Sequence, residues 1–358
     1  MSDPAPAACH PNAEGKLVTA VRSGHDGHVS HSDDTLMLDA LAAAEVARTR
    51  TAPNPWVGSA ITTVDGSLST GATEPPGGAH AEIVAIGNAR AAGLDLTGAT
   101  LATTLEPCSH TGRTGPCTEA IIDAGITRVI VALQDPDENV SGTGTARLRE
   151  AGIEVVVGVQ ADRAQHQLAA YLHHRRTGRP YVVIKMAATT DGRTAAPDGT
   201  SQWITGDDAL RDVHQLRAES QAILVGAGTI RNDNPSLTVR HVDGPSPRRV
   251  VLGTAPKGAA IHPCTEWRGD LPDLLDELGR DGVLQLMVEG GANTVAQFHD
   301  EGLVDRFVIY LAPALFGGND AHPMFVGQGA STIGDLPRGR FVGIRQIGED
   351  LRLDLVID

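Results

Sequence analysis

Apolar and polar positions take on a helical period at about residue 34, after a leading segment that shows no period. The run TLMLDALAAAEVARTR (35–50) follows an Asp-Asp-Thr start, is rich in strong helix formers, and predicts a helix ended by Pro53 and Pro55. WVGSAITTVDG (56–66) predicts a strand and turn, and HAEIVAIGNARAAG (80–93) a helix closed by Gly93. ATLATTLEPC (99–108) predicts a strand, PCTEAIIDAG (116–125) a helix, and RVIVALQDP (128–136) and IEVVVGV (153–159) two further strands. Strands alternating with helices at this spacing predict an α/β layer with much of its sheet parallel. A polar helix, DRAQHQLAAYLHHRRTG (162–178), then leads into Arg179-Pro180, where the domain boundary is expected.

A second α/β series follows. YVVIKMAA (181–188) reads as a strand, DGRTAAPDGTS as a Gly-rich turn, DDALRDVHQLRAES (207–220) as a helix, and AILVGAG (222–228) and RRVVLG (248–253) as strands. LPDLLDELGRDG (271–282) predicts a helix, VLQLMVEGG (283–291) a strand, NTVAQFHDEG a helix, and DRFVIYLAPALF (305–316) a strand. RFVGIRQIGEDLRLDLVI (340–357) predicts an antiparallel finish. The expected organisation is a tail over 1–33, a first domain over 34–178 and a second over 179–358.

Composition narrows the class. The 358 residues are 41% hydrophobic, enough for buried cores, while aromatics are only 3% and the net charge is -15. That balance argues against nucleic acid and anionic membranes as partners. No apolar run approaches the ~20 residues that span a bilayer, and a cytoplasmic enzyme is expected. The tail's Cys9, His10, His25, His28 and His31 match no closed metal-site spacing.

The chemistry gathers in the first domain. His80-Ala81-Glu82 opens a predicted helix; Glu106-Pro107-Cys108 follows a strand, and Pro116-Cys117 opens the next helix. His80, Cys108 and Cys117 supply three zinc ligands and leave a fourth position open. Glu82, two residues from a ligand, is placed to move a proton between water and a leaving amine. The order H-x-E then P-C is that of zinc deaminases, although eight residues, SHTGRTGP, separate the cysteines here in place of two. A closed site with His110 as fourth ligand would leave Glu82 without a purpose. His110 and Arg113 in the insertion suit a substrate phosphate, against the plainer reading of a solvated loop.

HAE, LEPCSHTGRTGPC, PNPWVG and QDPDENVSGTG together resemble the deaminase half of the bifunctional riboflavin-biosynthesis deaminase/reductases. KMAATTDGRTA, SQWITG, LRAES, VGAGTIRNDNPSLTVR, VEGGANTVAQF and LVDRFVIYLAPALFGG resemble the reductase half, in the family's order. The resemblance implies a cytidine-deaminase-like α/β/α domain followed by a dihydrofolate-reductase-like α/β domain. It implies zinc and NADPH as cofactors and a pyrimidine ribotide as substrate, deaminated first and then reduced from ribosyl to ribityl. A homo-oligomer is expected.

Site residues carry over by the same resemblance. Asn54 of PNPWVG would contact the deaminase substrate. Ser201, Arg217, Leu237, Arg240 and Glu289 match substrate positions of the reductase. Ala187, Trp203, Thr229, Asp233, Thr254 and the segment from Gly291 match cofactor positions, while Lys185 and Asp191 fall in the pocket without an assigned role. Trp203 alone would read equally well as core. The chain lacks the G-x-G-x-x-G fingerprint of an ordinary dinucleotide domain, and the strand-Gly-Gly-helix turn at 288–293 is what remains for a cofactor phosphate.

The chain departs from the family at Ala72 and Thr73, where a His is frequent, and at Ala79, where Pro is usual. Those departures keep open a specialised relative acting on another phosphoribosylated heterocycle. A nucleic-acid editor on the deaminase fold would need a basic, aromatic-bearing groove, which the composition does not supply. Cys264 reads as a structural thiol.

Overall fold

Val129, Ile130 and Val131 are consecutive and all buried, as in a strand covered on both faces. They belong to a computed structural model that describes residues 31–110, 115–137 and 141–357. The expectations for Cys9, His10, His25, His28 and Arg113 lie outside the described residues. The chain divides into two compact units, Met1–Arg176 and Thr177–Asp358.

In the first unit a five-stranded sheet has the order β2-β1-β3-β4-β5, with β1 (Gly58–Thr62), β2 (Leu68–Ala72), β3 (Thr100–Thr103), β4 (Arg128–Val131) and β5 (Glu154–Val157). β1 is antiparallel to β2 and β3, and β3, β4 and β5 run parallel. One face packs Ile86, Ala89, Ile121 and Leu148 from α2 (Ala81–Ala91), α3 (Cys117–Asp123) and α4 (Thr143–Glu150). The other packs Leu36, Met37, Ala40 and Leu41 from α1 (Asp33–Ala44) and Ala164 from α5 (Ala161–Gln167). The result is a three-layer α/β/α unit.

Two glycines set how closely its helices approach. A Cβ on Gly58 would lie 1.9 Å from the Ala40 carbonyl oxygen, and one on Gly71 would lie 2.3 Å from the Ala85 nitrogen. The structure departs from the sequence expectations in three places. The first helix ends at Ala44, with a short 3-10 turn to Ala47, well before the prolines. The polar helix after Ala161 is broken at Leu168, which is buried, into α5 and α6 (Ala169–Thr177). β2 and α4 were not expected from the pattern.

The second unit holds an eight-stranded sheet ordered β10-β9-β8-β11-β6-β12-β15-β14. The strands are β6 (Tyr181–Thr189), β8 (Ala222–Gly226), β9 (Arg248–Leu252), β10 (Thr265–Trp267), β11 (Gln285–Val288), β12 (Arg306–Ala312), β14 (Gly339–Ile347) and β15 (Asp350–Ile357). A separate ribbon pairs β7 (Arg193–Ala195) with β13 (His322–Pro323). β10 through β12 in that order are parallel, and β15 and β14 close the sheet antiparallel, as the finishing segment predicts.

Its two faces are covered by different helices. α9 (Leu271–Arg280) and α10 (Ala292–Asp300) bury Leu274, Leu278, Val295 and Phe298 on one side. α7 (Asp207–Glu219) and the short, unexpected α8 (Ala227–Asp233) bury Val213, Leu216 and Ile230 on the other. Along β6 the two-residue period sends Val182, Ile184 and Met186 to the first face and Val183 to the second. Lys185 and Ala187 therefore share the second face, where the Lys185 Nζ lies 5.9 Å from the Tyr310 ring centre.

Candidate metal centre and reductase pocket

His80 is the extended residue just before α2, so its ring stands free of the helix, while Glu82 lies in the first turn and is buried. Cys117 opens α3 behind Pro116, and Cys108 sits in the loop after β3. These elements bring one nitrogen and two sulfurs within 4.8 Å of one another. The His80 Nδ1 is 3.6 Å from Cys108 Sγ and 3.3 Å from Cys117 Sγ. Tetrahedral zinc bonded to nitrogen and thiolate would set these atoms about 3.5 Å apart, so the donor set fits zinc by chemistry and by spacing.

The electrostatics separate the groups. The Cys108 thiol is drawn down to about 4 by the Cys117 hydrogen bond, helped by His80 and by the Cys117 backbone N–H at 3.4 Å, while the same bond pushes Cys117 up. Burial raises Glu82 from 4.5 to about 7. No ion pair joins Glu82 to a cationic side chain among the described residues.

Other predicted residues fall around this centre. The Asn54 backbone N–H donates to the Thr51 carbonyl at 2.7 Å in a turn whose Trp56 and Val57 pack with Ala81 and Leu105. His110 is exposed. Thr73 has a structural use: its hydroxyl accepts from the Val57 N–H (3.2 Å) and donates to the Val57 carbonyl (3.3 Å). At Ala79 the backbone N–H donates to Glu74 Oε2 at 2.8 Å, a bond that Pro would lack.

Sequence reasoning missed two features here. Buried Glu106 accepts from the backbone N–H groups of Gly142 (2.9 Å), Thr145 (2.9 Å) and Asp135 (3.4 Å). Ser109 and Thr143 share a hydroxyl bond at 2.8 Å, and a Cβ on Gly144 would lie 1.9 Å from the Pro107 carbonyl oxygen. The loop carrying Cys108 is thus clasped to the start of α4. Nearby, Asp135, its carboxyl raised by burial, accepts from the Tyr171 hydroxyl at 3.1–3.2 Å.

The second unit contains a cavity of about 1130 Å³, larger than a pocket for one small ligand. Ser201, Arg217, Leu237, Arg240 and Glu289, matched to substrate positions, all line it. So do Lys185 and the cofactor-matched Ala187, Trp203, Thr229, Asp233 and Gly291. Asp191 and Thr254 are not among the lining residues. Asp191 accepts from the Phe316 (3.3 Å) and Gly317 (2.8 Å) N–H groups and so fixes a loop, while Thr254 accepts from Arg268 at 2.5 Å. Cys264 is half-buried, with Sγ 3.5 Å from His262 Nδ1.

A forked ion pair organises the cavity. Arg217 Nε donates to Glu289 Oε1 at 2.5 Å and Nη2 to Oε2 at 2.9 Å, each side chain being 10% exposed. Burial pushes Glu289 up, but Arg217 and Lys185 outweigh it and hold the carboxyl below its ordinary value. Burial, with Arg217 beside it, lowers Lys185. His214 is lowered to about 4 by burial and by Arg217, and its Nδ1 accepts from the Arg240 N–H at 3.0 Å. Leu237 takes a left-handed backbone, φ 53°, although it is not glycine; it turns the Ser236–Arg240 strap along the cavity wall.

The cavity also has a bare-backbone wall. A Cβ on Gly226 would meet Thr294 Oγ1 at 2.6 Å, and one on Gly290 would meet Thr294 Cβ at 2.5 Å. Gly291 precedes α10 with no side-chain cap on its free N–H groups. Those two glycines let Thr294 of α10 pack closely on the strand ends, and the uncapped N–H groups at the start of α10, facing the cavity at Gly291, fit the pyrophosphate of a dinucleotide.

The three-donor centre of the first unit and the cation-lined cavity of the second are the features expected of a zinc deaminase joined to a reductase. The family model for the cytidine and deoxycytidylate deaminase zinc-binding region matches residues 30–133, and that for the RibD C-terminal domain matches residues 180–353. The riboflavin biosynthesis protein RibD of Corynebacterium ammoniagenes is 42% identical over 84% of this chain and 93% of its own. That of Escherichia coli K12 is 35% identical over 90% and 99%. The solved RibD of Acinetobacter baumannii superposes with a TM-score of 0.82 at 33% identity, covering 91% of this chain and 99% of its own. A Thermotoga maritima diaminohydroxyphosphoribosylaminopyrimidine deaminase/5-amino-6-(5-phosphoribosylamino)uracil reductase does so at 0.81, with 31% identity and the same coverage. The chain belongs to the RibD family of riboflavin-biosynthesis proteins.

Proposed function

We propose that the first unit hydrolyses the amino group from 2,5-diamino-6-(5-phosphoribosylamino)pyrimidin-4-one and that the second reduces the ribosyl of the product. The final product is then 5-amino-6-(5-phosphoribitylamino)uracil. The domains correspond to residues 34–178 and 179–358. The observation that carries this reading is the three-donor centre with buried Glu82 beside it.

His80, Cys108 and Cys117 would hold zinc, whose Lewis acidity lowers the pKa of a water toward about 7. With its carboxyl raised to about 7, Glu82 exchanges a proton near neutrality: the ionised carboxylate accepts one from the attacking water and delivers it to the departing amine, which leaves as ammonia. Glu106 keeps the Cys108 loop in register. Asn54, His110 and Arg113 hold the ribotide.

In the second unit NADPH would supply the hydride with its electron pair, and the accompanying proton would come from water. Gly290, Gly291 and the start of α10 offer backbone N–H groups to its pyrophosphate, and Trp203, 72% exposed, offers a ring face. Arg240 takes the substrate phosphate. Glu289, kept ionised by Arg217 and Lys185, is a fixed acceptor for substrate N–H and O–H groups.

Self-association is part of the reading. Phe341 (56% exposed), Ile344 (62%) and Leu351 (43%) lie on one face of β14 and β15, the face whose Leu353 and Leu355 reach the core, by the pairing of Phe341 with Leu355 and Ile344 with Leu353. A cytoplasmic setting, with neither nucleic acid nor membrane as partner, accords with the charge of -15 and with the finding that no helix among the described residues is long and apolar enough to cross a membrane.

The test follows ammonia release and NADPH oxidation separately on zinc-loaded protein given the diaminopyrimidine ribotide. Ammonia followed by NADPH consumption is expected, with chelation removing the first and sparing the second when deaminated ribotide is supplied. Absence of both signals would move the activity to another heterocycle.

A further inference from the structure

The cavity wall carries the cations Lys185, Arg217, Arg231 and Arg240. Lys185 and Arg217 stand at Glu289. Arg240 donates through Nη1 to Ser236 Oγ at 2.6 Å and Thr238 Oγ1 at 2.9 Å, and it serves the ribotide phosphate in the reading above. Arg231 has no hydrogen-bond or ion-pair partner among the described residues. Its Nη2 lies 4.0 Å from where a Cβ on Gly228 would stand, so the guanidinium folds back along α8 over bare backbone.

Strand order says which end of a dinucleotide would reach it. Across the sheet the cavity meets Lys185 on β6, Glu289 after β11, Gly226 at the end of β8 and Leu252 at the end of β9. Strands are spaced about 4.8 Å apart, so this row spans roughly 14 Å. The nicotinamide must lie where Lys185 and Glu289 hold the substrate. The pyrophosphate then meets the Gly226–Gly290 wall, which is neutral backbone, and the adenosine end is carried toward β9 and α8. A 2′-phosphate arriving there is a dianion that backbone N–H groups alone do not neutralise, and of the cavity-lining cations Arg231 is the one without another partner among the described residues.

We propose that Arg231 binds the 2′-phosphate of NADPH and sets the preference for it over NADH. The inference rests on the cavity holding NADPH as proposed above. The same guanidinium chemistry would suit the ribotide phosphate, and the test separates the two.

Dissociation constants for NADPH, NADH and adenosine 2′,5′-bisphosphate are measured on full-length, zinc-loaded wild type, Arg231→Gln and Arg231→Lys. Loss of one charged phosphate bond predicts about 10- to 100-fold weaker binding of NADPH and the bisphosphate by Arg231→Gln. NADH should change by less than about threefold, as for a surface substitution without a partner, and Arg231→Lys should recover part of the loss. Equal changes for NADPH and NADH would overturn the inference, as would a raised KM for the ribotide with NADPH binding unaltered. Wild type binding NADPH while Arg231→Gln binds it equally well rejects the inference alone. Wild type binding neither dinucleotide rejects the NADPH reading together with it.

Discussion

Glu82 and Glu289 are both carboxylates taken out of water, one at the head of α2 and the other just past β11. Around Glu82 are sulfurs, an imidazole and apolar side chains, and its carboxyl rises to about 7. Around Glu289 are a forked guanidinium and an ammonium, and its carboxyl falls below the ordinary value although burial pushes it up. Desolvation acts alike on both, so the difference lies in whether a cation shares the site. The first arrangement makes a group that exchanges a proton at working pH, and the second a fixed negative anchor. In the proposed mechanism one chain thus uses the same side chain for acid–base work in its hydrolytic unit and for positioning in its reductive unit.

Removing the exchangeable proton should have the largest effect. Glu82→Gln is expected to lower ammonia release about 10³-fold while zinc content and NADPH oxidation of deaminated ribotide persist. Metal analysis beside the two assays checks this, and loss of both activities would mean the side chain is structural.

Breaking the anchor should come next. Arg217→Met leaves Glu289 buried and unpaired, at a cost of about 3–5 kcal/mol, whereas Arg217→Met with Glu289→Met together should cost less than the single change. Denaturant midpoints for the four members of the cycle read the coupling.

The pH dependence of metal-free protein sharpens the contrast. With Glu82 raised from 4.5 to about 7, the folded chain keeps a proton that the unfolded chain has released. This group therefore lowers stability as pH rises across that interval, by on the order of 3 kcal/mol in total. Glu82→Gln should be the more stable protein at about pH 8 and no different from wild type below about pH 4. Glu289 runs the other way: its contribution is present above about pH 4.5 and lost as pH falls through its lowered value.

The smallest of these effects concerns Glu106. Glu106→Gln replaces one acceptor oxygen of the clasp with a donor, and zinc should be retained about tenfold less well in a chelator competition.

Much of the candidate metal centre was legible because its members mark element ends. His80, Glu82 and Cys117 sit where an apolar helix pattern begins, and a motif at a helix start reads from sequence. β2 was hidden because LSTGA carries small residues for close packing, Gly71 under α2 above all, in place of the β-branched alternation that marks a strand. α4 was hidden because Leu148 is its only large buried apolar side chain. Neither the Glu106 clasp nor the Arg217–Glu289 fork has a local signature, since each joins segments 29 or more residues apart. Asp191 lies in a motif that borders the cavity and Thr254 just past β9, outside any family motif, and the side chains of both serve the loops beside the cavity.

The most direct test is a pH titration of the glutamate carboxyl carbons by ¹³C NMR in metal-free protein, with Glu82→Gln and Glu289→Gln assigning the two signals. The account predicts that Glu82 titrates near 7 and that Glu289 stays ionised to below 4.5. Titration of Glu82 among the ordinary carboxylates, or a protonated Glu289 at neutral pH, would contradict it.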